Sequence, residues 1–151
     1  FREYLCAMNL TTHFLAVEFV PPHVWNQFKS ASTWFLQRPH VEAMEWLRAR
    51  LGVPLVINNW ANGGQFKNRG LRTPESQQYK PYSQHSFGNA TDCHSPEMSH
   101  AELYKWMLDN QDEIISKTSI RAIEDIAAAP TWLHCDSRWI PNAKELLIVK
   151  P

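Results

Sequence analysis

Between Pro39 and Leu51 the apolar residues Val41, Met44, Leu47 and Leu51 recur at three- and four-residue steps, with Glu42, Glu45, Arg48 and Arg50 between them. That period gathers the apolar side chains on one face and predicts an amphipathic helix, closed by Gly52 and Pro54. Ahead of it, Val24–Phe28 following Pro21-Pro22 predicts a short helix, and after it the run Leu55–Asn58 predicts a buried strand. From Asn58 to Tyr82 the apolar pattern lapses into turn formers, among them Asn62-Gly63-Gly64, Arg69-Gly70 and Thr73-Pro74. A loop of that length inside a compact domain is usually functional or disordered. Patterning resumes with a strand over Gly88–Cys93 and a second helix over Pro96–Ile115, with Ser95 as its cap and Pro96 at its first position. Ser119–Ile126 and Thr131–Arg138 then predict two strands flanking a short turn, Ala127–Pro130. The order helix, long loop, strand, helix, hairpin describes an α+β fold, with a small, mostly antiparallel sheet flanked by helices.

With 151 residues the chain makes one domain. Acidic and basic residues balance at 15 each, so no general electrostatic attraction to nucleic acid or to an anionic membrane is expected. No stretch approaches the ~20 apolar residues of a membrane span. The opening segment Phe1–Met8 lacks the basic-then-apolar layout of a secretory signal. Cys6, Cys93 and Cys135 form no CxxC pair, and their odd number predicts reduced, partly buried thiols rather than a disulfide framework. Seven histidines, which charge balance does not explain, direct attention to a metal.

The segment Ser83-Gln84-His85-Ser86-Phe87-Gly88-Asn89-Ala90-Thr91-Asp92 carries the most chemistry. His85 and Asp92 offer an imidazole nitrogen and a carboxylate oxygen, both good zinc ligands. Gly88 between them permits the turn that folds a loop histidine back over a strand aspartate. If this strand is extended, Ala90 and Asp92 share a face, and the small alanine leaves room beside the ligand. In Trp132-Leu133-His134-Cys135-Asp136, a strand places Trp132, His134 and Asp136 on one face, which makes His134 the third ligand and Asp136 its natural backing partner. Two imidazoles and one carboxylate leave the fourth tetrahedral position for water, as in catalytic sites, whereas structural zinc sites are closed by four protein ligands. The plain alternative makes His85 a loop residue and His134 a core histidine hydrogen-bonded to Asp136.

These residues resemble the zinc D-Ala-D-Ala carboxypeptidase and L-Ala-D-Glu endopeptidase family, which includes phage endolysins and shares its fold with the hedgehog signalling domain. The family's motif Ser-x-His-x-x-Gly-x-Ala-x-Asp is matched at Ser83, His85, Gly88, Ala90 and Asp92, and its Trp-x-His-x-Asp strand at Trp132, His134 and Asp136. An arginine in a preceding Gly-x-Arg stretch is matched by Gly70-Leu71-Arg72, so the resemblance covers about residues 35 to 140. It implies a peptidase that cuts peptidoglycan stem peptides in bacterial cell wall. It also implies His85, Asp92 and His134 as ligands of one zinc, with Arg72 and Ser83 lining the substrate site. Arg72 would hold a substrate carboxylate or stabilise the oxyanion that develops on the carbonyl. As a plain turn arginine it would do neither.

The sequence departs from the family where many relatives place a catalytic acid three residues before the second histidine. Here that position is Thr131. If the two last strands pair as a hairpin about Ala129, residue 124 falls opposite residue 134, so Glu124 shares the metal-facing side and becomes the candidate general base. Asp125 is next in line, since a one-residue slip of register exchanges the two. His94, two residues beyond Asp92, is a further candidate for the cleft, while His13, His23, His40 and His100 read as ordinary polar positions. Trp60, Trp132 and Trp139 read either as core or as walls of a peptide groove. Two other readings compete with the enzyme: a phage virion or tail component of this fold, contacting other virion proteins, and a binding module that keeps zinc but has lost turnover.

Overall fold

The computed structural model describes residues 8–151. Cys6 and most of the opening segment lie outside the described residues. Helix α1 spans Pro22–Phe28 and α2 spans Arg38–Leu51. Strand β1 follows at Ala90–Cys93, then helices α3, His100–Asp109, and α4, Gln111–Lys117. Strands β2, Ala122–Glu124, β3, Leu133–Asp136, and β4, Leu147–Val149, complete the chain. The sheet order is β1-β3-β2-β4, antiparallel except for the parallel pair β2 and β4. The expected α+β class, with its small, mostly antiparallel sheet, is what the chain forms.

Helix α2 ends as its sequence dictates. Gly52 takes a left-handed φ of 70° and its N–H donates to the Arg48 carbonyl, while Arg48 and Arg50 place positive charge at the helix's negative end. The second predicted helix differs in two ways. It begins at His100, because Ser99 and Glu102 form a reciprocal capping box: Ser99 Oγ accepts from the Glu102 N–H at 3.2 Å and Glu102 accepts from the Ser99 N–H at 2.9 Å. Ser95, the expected cap, instead accepts from the Glu97 N–H in a local turn. The helix also breaks at Asn110, which leaves helical geometry with φ −112° and ψ 16° and whose side chain donates to the Trp106 carbonyl at 2.8 Å, and α4 restarts at Gln111.

The strand expected over Leu55–Asn58 shrinks to a single antiparallel bridge between Val56 and His94. Asn58 ends it, since its backbone N–H donates to Glu18 and its side chain to the Val20 carbonyl. Strand β1 starts at Ala90 rather than Gly88, because Gly88 is left-handed with φ 64°. The hairpin strands are likewise shorter than expected. Strand β4 and the buried segment Phe14–Val20, which contributes Phe14, Ala16, Val17, Phe19 and Val20 to the interior, were not anticipated.

One cluster joins Met44 and Leu47 of α2, Leu103 and Met107 of α3, and Ile123 and Leu133 of the sheet, all wholly or almost wholly buried. Each such side chain removed from water contributes on the order of 1.5–3 kcal/mol. Strand alternation does the rest. With Cys93, Ile123, Leu133 and Cys135 committed to this core, Asp92, Glu124, His134 and Asp136 must face the other side of the sheet. Packing on one face thus assembles the site on the other.

Candidate metal centre

Register brings the candidate ligands together. Asp92 lies directly across from His134 in the β1–β3 ladder, and Ala90 across from Asp136. His85 arrives from the 3-10 turn Gln84–Phe87, which Ser83 opens by accepting the His85 N–H at 3.3 Å. Gly88 closes that turn where a Cβ would stand 2.0 Å from the Phe35 carbonyl oxygen, so only glycine fits. Gly70 is equally constrained, its would-be Cβ meeting the Phe19 carbonyl oxygen at 2.2 Å. That close approach sets the Gly70 carbonyl where it accepts from His85 Nδ1 at 2.8 Å.

His85, Asp92 and His134 each offer one ligand atom, and these atoms lie within 4.8 Å of one another. The three could hold a metal ion. Outer hydrogen bonds select the inward atoms: Gly70 occupies His85 Nδ1 and leaves Nε2, while Asp136 lies 3.0 Å from His134 Nε2 and leaves Nδ1. His85 Nε2 is 3.3 Å and His134 Nδ1 2.9 Å from the same Asp92 oxygen. Ligands ~2.0–2.1 Å from a tetrahedral zinc stand roughly 3.3 Å apart, so the first separation already suits the ion and the second must open by a few tenths of an ångström. The donor set and its outer partners fit zinc.

Electrostatics of the cluster follow from its burial. Burial alone would raise the Asp92 carboxyl, but the imidazoles of His85 and His134 hold it well below the usual carboxylate range. Burial opposes a charge on His134, yet hydrogen bonds to Asp136 and Asp92 outweigh it and push this imidazole up to about 9. Asp136, fully buried, is held down to about 2 against desolvation by hydrogen bonds from Arg138 and His134. Cys93 and Cys135 are free and buried behind the sheet, and burial pushes the Cys93 thiol up to about 12. They are inert core residues, not ligands.

A cleft of about 650 Å³ opens over the three ligands. Arg72, Ser83, Glu124 and Trp132 all line it. Arg72 donates through Nη2 to the second Asp92 oxygen at 2.8 Å and through Nε to the Asn68 carbonyl at 2.7 Å. It therefore orients the Asp92 carboxylate as well as lining the cleft. The expected hairpin register holds: Ala122 faces Asp136 and Ile123 faces Cys135, which puts Glu124 level with His134. Asp125 turns away, its carboxylate accepting the Ala127 N–H at 2.8 Å.

Other candidates fall elsewhere. His94 does not reach the cleft; its Nδ1 lies 2.7 Å from an Arg69 nitrogen and its ring packs edge-on against Phe66. His13 pairs with Glu45 and His23 with Thr73, as ordinary polar positions do. His40 is not an ordinary polar position: it is 1% exposed on the core side of α2. Its signal was present in the helical period, one step before Val41, and was obscured by its polarity. Trp60 donates to the Val20 carbonyl beside a small second core, whereas Trp139 is 88% exposed and belongs to neither core nor cleft. Among the described residues, no helix is long and apolar enough to cross a membrane.

Compared with family models, curated proteins and solved structures, the chain matches none. The family resemblance therefore rests on the two motifs and the Gly-x-Arg stretch alone.

Proposed function

We propose that the chain is a zinc-dependent peptidase acting on the stem peptides of peptidoglycan, as a D-Ala-D-Ala carboxypeptidase or an endolysin-type endopeptidase. The observation that carries the reading is the convergence of His85, Asp92 and His134 at the floor of an open cleft that Glu124 also lines. Zinc in that set would supply Lewis acidity toward a carbonyl and toward water. Asp136 holds His134 with Nδ1 turned to the cluster, and Gly70 does the same for His85 Nε2. Glu124, which lines the cleft, would take a proton from water and return it to the leaving amine. Arg72 fixes Asp92 and lines the cleft, where its guanidinium would suit a substrate carboxylate or a developing oxyanion. The peptidoglycan specificity is supported by the motifs, not by the cleft's shape.

A second reading has its own observation. Thr131 stands where many members of that family carry the acid, which favours a zinc-containing binding module without turnover. Incubating the zinc-loaded protein with purified muropeptides and reading the products by mass spectrometry separates the two. Loss of terminal D-Ala identifies a carboxypeptidase and internal cleavage an endopeptidase. Intact muropeptides with zinc fully bound would leave the binding module.

A further inference from the structure

Behind the sheet, on the face opposite the cleft, a closed run of hydrogen bonds passes through His40. Its Nε2 lies 3.1 Å from Thr91 Oγ1 and its Nδ1 2.7 Å from Ser137 Oγ. Ser137 Oγ is 2.8 Å from Ser119 Oγ, which donates to the Pro39 carbonyl at 2.9 Å. A carbonyl can only accept, and each hydroxyl has a single proton, so the end of the run fixes its direction. Ser119 donates to Pro39, Ser137 to Ser119, and His40 Nδ1–H to Ser137. The run thus puts a proton on His40 Nδ1. Burial, which drives His40 down to about 3, keeps the ring neutral, so Nε2 is bare and Thr91 donates to it.

We infer that His40 is a positioning residue for the metal-binding strands, bracing Thr91 and Ser137, the sequence neighbours of Asp92 and Asp136. The inference rests on the metal reading of the cluster. Its physical ground is the place of Asp136, which pairs with Ala90 at the last paired position of the β1–β3 ladder. One further bond, from the Ser137 N–H to the Asn89 carbonyl at 3.1 Å, follows before the chain leaves the sheet. Asp136 must hold His134 in one orientation, and although Ala122 of β2 also pairs with it and the Arg121 N–H donates to its carbonyl at 2.9 Å, a side-chain tie across the end of the β1–β3 ladder adds to that hold. His40 supplies this tie diagonally, from Ser137, one residue past β3, to Thr91 on β1. Helix α2 is itself moored there by the Gln37 N–H, which donates to the Gly88 carbonyl at 3.0 Å. The His40 side chain thus ties the chain around Asp92 and His134 to α2, and the Gln37 backbone ties the segment carrying His85 to the start of the same helix.

Nitrogen-15 NMR of the metal-free protein at neutral pH should show His40 protonated at Nδ1 and bare at Nε2. The opposite tautomer, or an imidazolium, would overturn the assigned direction. Zinc affinity, read by competition with a chromophoric chelator, tests the brace. His40→Leu should weaken zinc binding about tenfold, as loss of an outer partner does at the low end of such effects. His40→Asn, which keeps a donor near Ser137, should recover part of that loss. Met44→Ala removes a wholly buried apolar side chain from the next turn of α2 and serves as the control for general loosening. Equal losses in His40→Leu and Met44→Ala, or no loss in either, would overturn the inference. A wild-type chain that bound no zinc would overturn the metal reading itself, a result separable from failure of the brace.

Discussion

Loading the metal-free protein with zinc should release about one proton per chain near pH 7.5, and His134 is its source. In the metal-free state that imidazole sits between two carboxylates, and their hydrogen bonds outweigh the penalty of burial to hold its pKa up to about 9. Against an ordinary value of about 6.5, the difference corresponds to roughly 3 kcal/mol. Because the folded value is raised, this contribution is fully present below about pH 6.5 and is lost as pH rises through about 9. Zinc needs the bare Nδ1 and must displace that proton. Apparent zinc affinity should therefore climb roughly tenfold per pH unit between pH 7 and 8.5, and level off above 9. Asp92 adds nothing to this slope, since its carboxyl is already held well below the usual range. Calorimetric titration in buffers of different ionisation enthalpy counts the protons directly. Heats independent of buffer, together with a flat affinity across that window, would refute a doubly bonded, charged His134.

Four substitutions test other parts of the site. Glu124→Gln should lower muropeptide turnover by about 10²–10⁴-fold with zinc content unchanged, whereas Asp125→Asn should leave turnover within about twofold; the reverse pattern would mean the base is misassigned. Asp136→Asn removes the charge that orients His134 and should weaken zinc binding about 10–100-fold by chelator competition, and unchanged affinity would contradict its backing role. Gly88→Ala forces a left-handed residue against the Phe35 carbonyl and should cost more than about 2 kcal/mol in urea unfolding, so a neutral result would show that the turn relaxes freely.

How much the sequence disclosed depended on whether local chemistry decided each feature. Helix α2 was legible from its apolar period and Gly52, because period and cap acted together. The start of the later helix was misplaced because two serines compete there, and only Ser99 has a glutamate three residues on to complete the box. Strand ends were overextended where side chains bond away from the ladder, as Asn58 does. Strand β4 escaped notice because its partner β2 runs parallel to it, and pairing between distant segments leaves no local mark. The meeting of Asp92 and His134 was legible because their spacing mirrors the pleat: a residue opposite the core on β1 meets a residue opposite the core on β3. The attachment of Arg72 to Asp92 and the role of His40 were not, since both depend on contacts across 20 and 51 residues of chain.

The proposed zinc site is tested most directly by X-ray absorption at the zinc edge on protein loaded with a single equivalent of metal. Two imidazole nitrogens and oxygen ligands at ~2.0–2.2 Å are predicted, with the nitrogen count falling to a single imidazole in His134→Ala. A zinc that fails to bind stoichiometrically, or one showing sulfur at ~2.3 Å from the cysteines behind the sheet, would contradict the assignment of His85, Asp92 and His134.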